Sequence, residues 1–198
     1  MTNLKTTTVE NNDVYSVALL HKKLFKDHYL GGFSVSLLEK FYLSFLCENI
    51  TFIVCTDTIS RELAGFVVGG DSKDLAKAKN AFLKTSKFRI FFEILFKPKM
   101  WTGTFERFIN ISQTSDKDRS ELSFRLLSIG VNEKFQGKGV AIQLINKFEQ
   151  TLKNQNIYQY GLSVHSDNFK AIKFYEKNCM IVEKKTTTTI FFIKKIVY

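Results

Sequence analysis

The pattern of apolar and polar residues in the N-terminal third predicts two helices followed by a pair of strands. Apolar residues recur every three or four positions in 13–25 and again in 36–47, so each segment can bury one face of a helix. The glycine pair 31–32 between them favours a loop. Residues 51–57 and 62–70 are short apolar runs around the turn TISR, which predicts a β-hairpin.

In the C-terminal part, strand patterns alternate with helix patterns. Residues 121–131 predict a strand, and a turn with two glycines leads into an amphipathic helix that ends near Asn154. A strand at 158–165 and a helix at 168–178 follow. Two further strands close the chain, and a hairpin is their simplest connection.

Residues 71–120, between these two parts, are less regular. Residues 76–96 favour a helix rich in phenylalanine and lysine, which Pro98 would end, and residues 107–113 have the pattern of another strand. The helix can pack in the core, line a pocket, or lie on a membrane as a basic amphipathic surface. Because Glu93 interrupts the apolar face, we expect core or pocket packing.

Composition and charge narrow the choice of function only slightly. The 29 basic and 19 acidic residues give a net charge of +10, which attracts anions of any kind. The basic residues are scattered over all predicted helices and form no nucleic-acid-reading motif, so we do not expect a nucleic-acid partner. The polar N-terminus and the lack of an 18-residue apolar run predict no signal peptide, no stable membrane insertion and a cytoplasmic location.

The three cysteines are too far apart in sequence for a C-x-x-C pair or a disulfide framework. Cys47 and Cys55 lie in apolar surroundings and are predicted to be buried thiols. No metal site is expected.

The stretch EKFQGKGVAIQLI, residues 133–145, follows a predicted strand and opens a predicted helix. Such a turn binds anions, because its N–H groups and the positive end of the helix dipole point outward. The dinucleotide fingerprint needs a third glycine where this chain has Ile142, and an acid where it has Gln159. The P-loop needs Ser or Thr where this chain has Gly139.

A third phosphate-binding turn, Q/R-x-x-G-x-G/A, fits without a gap, and here the sequence resembles the GNAT superfamily of acyl-CoA-dependent N-acetyltransferases. The resemblance implies that the turn cradles the pyrophosphate of acetyl-CoA. It also implies that the strand end Ile129, Gly130 and Val131 pairs through its backbone with the pantetheine arm and the acetyl group. The cofactor-binding residues of the turn would be Gln136, Gly137, Lys138, Gly139, Val140 and Ala141.

The family's next helix has the pattern Asn, Ala three residues on, and Tyr seven residues on, which Asn168, Ala171 and Tyr175 match. These positions share one face of a helix, so Asn168 and Tyr175 can face the same cleft, and the resemblance implies that Asn168 is a further cofactor-binding residue. Tyr175 could instead be a buried core aromatic, and Asn168 a helix cap; for Asn168 both roles can hold together.

The resemblance implies an α/β fold in which helices flank a central, mixed, mostly antiparallel sheet, with an enlarged helical insertion at about 71–110. It further implies a single domain over 1–198, with a variable region at 71–120 and an acetyl-CoA-binding core at 121–178. The sequence leaves open whether the chain forms a homodimer and whether it uses a longer acyl-CoA.

The expected reaction is direct transfer of an acetyl group to a primary amine of a small molecule, with an amino sugar or sugar nucleotide as one option. Tyr175 is the candidate general acid, since a tyrosine and a thiol have reference pKa values near 10 and 8.5. Many relatives carry a general-base Glu where this chain has Arg125 and Ser163. Glu121 and His165 are therefore the candidate bases.

Two other functions remain open. One is transfer to a protein or peptide amine, and the other is non-catalytic binding of an acyl-CoA.

Overall fold

The computed structural model of the protein describes residues 3–26, 29–96 and 122–196. The strands are β1 (Leu4–Thr8), β2 (Ile50–Asp57), β3 (Leu63–Asp71), β4 (Phe124–Val131), β5 (Gln159–His165), β6 (Ile181–Lys185) and β7 (Thr189–Lys195). The helices are α1 (Asn11–Leu24), α2 (Val35–Leu43), α3 (Ser72–Leu95), α4 (Val140–Asn154) and α5 (Phe169–Lys177), and short 3-10 helices cover Tyr29–Gly32 and Glu133–Phe135.

The seven strands form one sheet in the order β1-β2-β3-β4-β5-β7-β6. Every neighbouring pair is antiparallel except β4 and β5, which are parallel. The predicted mixed, mostly antiparallel sheet with flanking helices is therefore confirmed, and so are the β2–β3 and β6–β7 hairpins. The edge strand β1 was not predicted, because its residues LKTTT are mostly polar and carry no apolar alternation.

Two apolar cores cover the two faces of the sheet. On one face, α1, α2 and α3 bury a cluster that includes Phe52 of β2 and Phe66 of β3. On the other face, α4 and α5 bury a cluster that includes Phe148 of α4, Tyr160 of β5 and Phe192 of β7. The strands in the middle of the sheet are thus held from both sides.

The parallel strands β4 and β5 pair at a single position, Arg125 with Gly161, near the start of both strands. Beyond this point β4 continues to Val131 and β5 to His165, but the two strands no longer pair with each other. The two strands therefore open a V-shaped cleft toward their carboxyl ends, and the edge of β4 that faces β5 keeps backbone groups outside the sheet's ladder.

A β-bulge lies in β4 next to this cleft. Val68 of β3 pairs with Ser128 and Gly69 pairs with Leu126, so Leu127 is the extra residue. Leu126 and Ile129 consequently pack into the same core, the one under α4, whereas Leu127 packs into the opposite core. The bulge therefore changes which residues of β4 face each side of the sheet, immediately before the residues that line the cleft.

Helix α3 corrects one expectation. Its residues Phe82 and Ile90 are buried, but Phe88 and Phe96 are 71% and 75% exposed. The expected packing in the core or a pocket therefore holds for only some of its apolar side chains. Cys47 is likewise exposed, contrary to the prediction, whereas Cys55 is buried as predicted. The predicted strand at 107–113 lies outside the described residues.

Candidate active site

The loop between β4 and α4 is a tight turn that needs two glycines. Gly137 and Gly139 have φ angles of 76° and 81°, in the left-handed region that residues with a side chain rarely adopt. A β-carbon added at either position would meet no heavy atom within 4 Å. The backbone conformation therefore favours glycine at both positions, although no neighbouring atom would clash with a side chain there. The space outside the turn is open to a ligand.

The turn is anchored on both sides. Before it, the buried Asn132 donates through Nδ2 to the Leu63 carbonyl at 3.2 Å and to Glu62 Oε1 at 3.2 Å. The buried Phe135 fixes the 3-10 helix, and Lys170 of α5 donates to Gln136 Oε1. The backbone of the turn is therefore held in place without a ligand.

The first turn of α4 offers backbone donors to the same open space. Gly139 is the N-cap and provides no side-chain hydrogen bond, while its carbonyl accepts from Gln143 N–H at 3.0 Å. The N–H groups of Val140 and Ala141 precede the first i to i−4 bond of the helix and have no side-chain cap. Together with the helix dipole they favour an anion at this end.

Lysines near the turn differ in their surroundings. Lys134 binds Glu62, with Nζ 2.9 Å from Oε1 and 3.1 Å from Oε2, so a carboxylate already balances its charge. Lys138 lies with Nζ 5.3 Å from the centre of the Phe135 ring. Lys170, which contacts Gln136, brings a further cation to the turn that sequence reasoning missed, since it belongs to a different helix.

Backbone donors of β4 also face the cleft between β4 and β5. The N–H of Asn132 donates to Ala64 O on the β3 side at 2.9 Å. Because successive residues of a strand point their N–H groups to opposite edges, Gly130 faces β3, whereas Ile129 and Val131 face the cleft. Of the three predicted backbone contacts, these two are placed to donate to a ligand.

Tyr175 is the buried residue of α5, 6% exposed, and packs against Phe174 and Phe192 at ring distances of 5.6 and 5.7 Å. The core role considered for it is thus fulfilled. Burial raises the pKa of Tyr175 to about 12, so the hydroxyl keeps its proton over the whole physiological range. A hydroxyl that keeps its proton is available to donate it to a sulfur atom that develops negative charge.

The burial of Tyr175 should make the free energy of unfolding depend on pH. The pKa of Tyr175 is about 12 in the folded chain and about 10 when unfolded, so between these pH values only the unfolded chain releases the proton. Stability must then fall as pH rises, by about 3 kcal/mol in total. Tyr175→Phe is expected to remove this part of the loss. Denaturant unfolding of both proteins from pH 9 to 12 measures it, and a pH-independent difference would contradict it.

Asn168 is the N-cap of α5, and its Oδ1 accepts from Ala171 N–H at 3.1 Å. Its backbone N–H donates to the His165 carbonyl at the end of β5, next to the opening of the cleft. The helix-cap role is thus present in the structure, and Asn168 also lies at the mouth of the cleft.

The two roles of Asn168 can be separated by substitution. Asn168→Ala is expected to destabilise the chain by about 1 kcal/mol, because the cap is lost. Asn168→Asp keeps the cap but replaces an amide by a carboxylate, so it should weaken acetyl-CoA binding without loss of stability. Chemical unfolding and a binding titration measure the two effects. Unchanged affinity in Asn168→Asp would show that Asn168 only caps the helix.

The structure describes the position of one of the two candidate bases. Glu121 lies outside the described residues. His165 is exposed at the carboxyl end of β5, and its Nδ1 is bonded to Asp167 Oδ1, which orients the imidazole. Arg125 and Ser163 occupy the face opposite α4, where Arg125 lies over the Phe191 ring at 5.8 Å and can accept no proton. His165 is thus the candidate base whose placement is described.

Neither a metal cluster nor a membrane-spanning helix is found in the described part of the chain. No group of three or more His, Cys, Asp or Glu residues there could hold a metal ion. None of the helices in that part has the length and apolar character needed to cross a membrane.

Comparison with known proteins gives one family match. Residues 99–179 match the model described as Acetyltransferase (GNAT) family, a range that contains the turn, β5 and α5. A search of curated protein sequences found no significant match.

Solved structures share the fold at low sequence identity. The structure of SsHAT has a TM-score of 0.74 and 15% identity, covering 98% of this chain and 99% of its own. The PaiA N-acetyltransferase of Thermoplasma acidophilum, in complex with coenzyme A, has a TM-score of 0.59 and 15% identity, with coverages of 98% and 99%. Ard1 of Thermoplasma volcanium has a TM-score of 0.60 and 16% identity, again with coverages of 98% and 99%.

Proposed function

We propose that the chain is a GNAT-type acetyltransferase, as the match of residues 99–179 to that family's model supports, and that it transfers the acetyl group of acetyl-CoA directly to a primary amine of a small molecule. An amino sugar or sugar nucleotide is one such acceptor. The observation that carries the proposal is the turn with two left-handed glycines, which lies beside an open cleft between β4 and β5. We further propose that residues 1–198 form a single domain of this kind.

The turn fits a pyrophosphate on physical grounds. Its two glycines leave the space outside the backbone open. The N–H groups of Val140 and Ala141 lie in the first turn of α4, at the positive end of the helix dipole. Lys138 and Lys170 add positive charge at the same end. Gln136 would be held beside the ligand by its bond to Lys170.

Bound acetyl-CoA would supply a thioester whose carbonyl carbon is the electrophile. The N–H groups of Ile129 and Val131 would donate to the pantetheine arm or to the carbonyl oxygen, where preformed dipoles are most effective. The Tyr175 hydroxyl would hold its proton for the sulfur atom that leaves. His165, oriented by Asp167, would accept the proton of the amine, directly or through water.

The acceptor could also be a protein or peptide. The structure of SsHAT and that of Ard1 show that one fold accommodates different proteins at 15% and 16% identity to this chain. Transfer to a protein or peptide N-terminus is therefore the second candidate. Non-catalytic binding of an acyl-CoA is the third, because neither Arg125 nor Ser163 can replace a general-base glutamate.

A panel of amines tests the proposal. Release of free thiol from acetyl-CoA would be measured with amino sugars, polyamines, amino acids and peptide N-termini, and the acetylated product would be identified by mass spectrometry. Turnover with a small amine well above that with peptides is the expected result. Turnover with peptides alone would shift the function to protein acetylation. No turnover, with acetyl-CoA still raising the melting temperature, would favour a binding domain.

A further inference from the structure

Helix α3 presents an outer face with a basic half and an aromatic half. The helix has 24 residues and is therefore about 36 Å long. At 100° per residue, one side of it carries lysines in the first half and aromatic side chains in the second. We call this side the docking face; it consists of Lys73, Lys77, Lys84, Phe88, Phe91, Phe92, Leu95 and Phe96.

The aromatic half of the docking face is unusually exposed. Phe91, Phe92 and Leu95 are 58%, 53% and 43% exposed, in addition to Phe88 and Phe96. Five large apolar side chains within nine residues thus form one contiguous patch on neighbouring turns. Soluble proteins rarely expose such a patch, because each buried aromatic side chain is worth a substantial hydrophobic free energy. A binding surface explains it.

The opposite side of α3 is fixed to the domain, so the patch cannot turn inward. Phe82 and Ile90 are buried in the core under α1 and α2. Glu93 accepts hydrogen bonds from Ser34 N–H, at 2.7 Å, and from its hydroxyl. Arg89 donates to Ser36 Oγ. These contacts to the start of α2 hold the aromatic half in its outward orientation.

Charge on α3 complements an anionic surface. The helix carries six basic and two acidic residues, and one of the acids, Glu93, is turned toward Ser34. The other, Asp74, lies in the first turn. Lys87 lies with Nζ 5.1 Å from the centre of the Phe88 ring, so positive charge continues into the aromatic half. Aromatic side chains flanked by lysines are suited to a lipid interface, where rings enter the headgroup region and ammonium groups contact phosphates.

We propose that the docking face binds the surface of a membrane that contains anionic lipids. The aromatic half would enter the interface, and the basic half would contact lipid phosphates. The helix would lie along the surface, since half of its circumference remains packed on the domain. The proposal does not depend on acetyl transfer and is tested without it.

Sedimentation with vesicles tests the proposal. The full chain is expected to bind vesicles of phosphatidylcholine and phosphatidylglycerol at least about tenfold more tightly than vesicles of phosphatidylcholine alone. The double variant Phe88→Ser/Phe96→Ser should reduce binding about tenfold or more, because two exposed rings are lost. The matched control Ile59→Ser/Ile181→Ser changes two side chains that are 71% and 64% exposed elsewhere, and should bind as the wild type does.

The basic half of the docking face is tested by a lysine variant and a matched control variant. Lys73→Gln/Lys77→Gln/Lys84→Gln should weaken binding to the anionic vesicles roughly tenfold or more. A control that removes three charges elsewhere, Lys5→Gln/Lys40→Gln/Lys185→Gln, should weaken it much less.

Three results would overturn the proposal. The first is no binding to anionic vesicles. The second is an equal loss of vesicle binding in a variant and its control, which would show that the docking face has no specific part in the binding. The third is a dimer that Phe88→Ser/Phe96→Ser dissociates while vesicles are not bound, which would assign the face to a second copy of the chain.

Discussion

Gly139→Val is expected to weaken acetyl-CoA binding by on the order of 100-fold or more while the chain still folds. The substitution places a β-branched side chain at a φ of 81° and fills the space outside the turn. Its backbone strain of roughly 1–2 kcal/mol is small beside the usual stability of a domain. Since a β-carbon there meets no atom within 4 Å, no clash adds to this strain.

The expected loss of affinity comes from the donors of the turn. A valine side chain would keep a pyrophosphate away from the N–H groups of Val140 and Ala141. Each charge-assisted hydrogen bond is worth about 1.5–3 kcal/mol, so losing two accounts for a 100-fold change. Calorimetric titration measures the affinity, and the melting temperature without ligand verifies folding.

Asn156→Ala is the matched control for Gly139→Val. Asn156 follows the other end of α4 and has a φ of 59°, so alanine there is also strained. The variant should lose some stability and keep its affinity for acetyl-CoA. If Gly139→Val bound acetyl-CoA as tightly as the wild type, the turn would not be the pyrophosphate site.

Tyr175→Phe is expected to lower kcat by about 10²–10⁴-fold, the usual contribution of a general acid. Affinity for acetyl-CoA should change little, because the ring keeps its packing against Phe174 and Phe192. Steady-state kinetics with the best amine of the panel, together with a binding titration, separates the two effects. The variant also distinguishes an enzyme from a binding domain, since only an enzyme has turnover to lose.

Tyr160→Phe controls for the loss of a buried hydroxyl. Tyr160 is fully buried, and its hydroxyl donates to Glu149 Oε1 at 2.9 Å, near the closed end of the β4–β5 pair. The variant should lose stability and retain kcat. Equal kcat in Tyr175→Phe and the wild type would mean that Tyr175 is only a core residue.

The parts of the site that follow from local sequence were predictable. Gly137 and Gly139 lie between an apolar strand and an amphipathic helix, and this order already indicates a turn with left-handed residues. The position of Tyr175 on a buried helix face follows from its spacing to Ala171 and Asn168. In both cases the relevant contacts are made within one element and the next.

The parts that depend on distant residues were not predictable. Lys134 pairs with Glu62, which lies 72 residues earlier in the chain, so no local pattern shows that a carboxylate balances this charge. Lys170 reaches Gln136 from a separate helix. The exposure of Phe88 and Phe96 arises because Phe82, Ile90 and Glu93 occupy the inner side of the helix, which its composition does not reveal.

An NMR titration of the ¹⁵N-labelled chain with acetyl-CoA tests whether the turn and the β4 strand end hold acetyl-CoA. Large amide shifts are expected for Gly137, Gly139 and Val140, together with Ile129 and Val131 on the cleft edge of β4. A cavity of about 910 Å³ at the other end of the sheet, lined in part by Asn49, Asp71 and Tyr158, provides the contrast. Shifts confined to that cavity, or no shifts at all, would show that the turn and the β4 strand end do not bind acetyl-CoA.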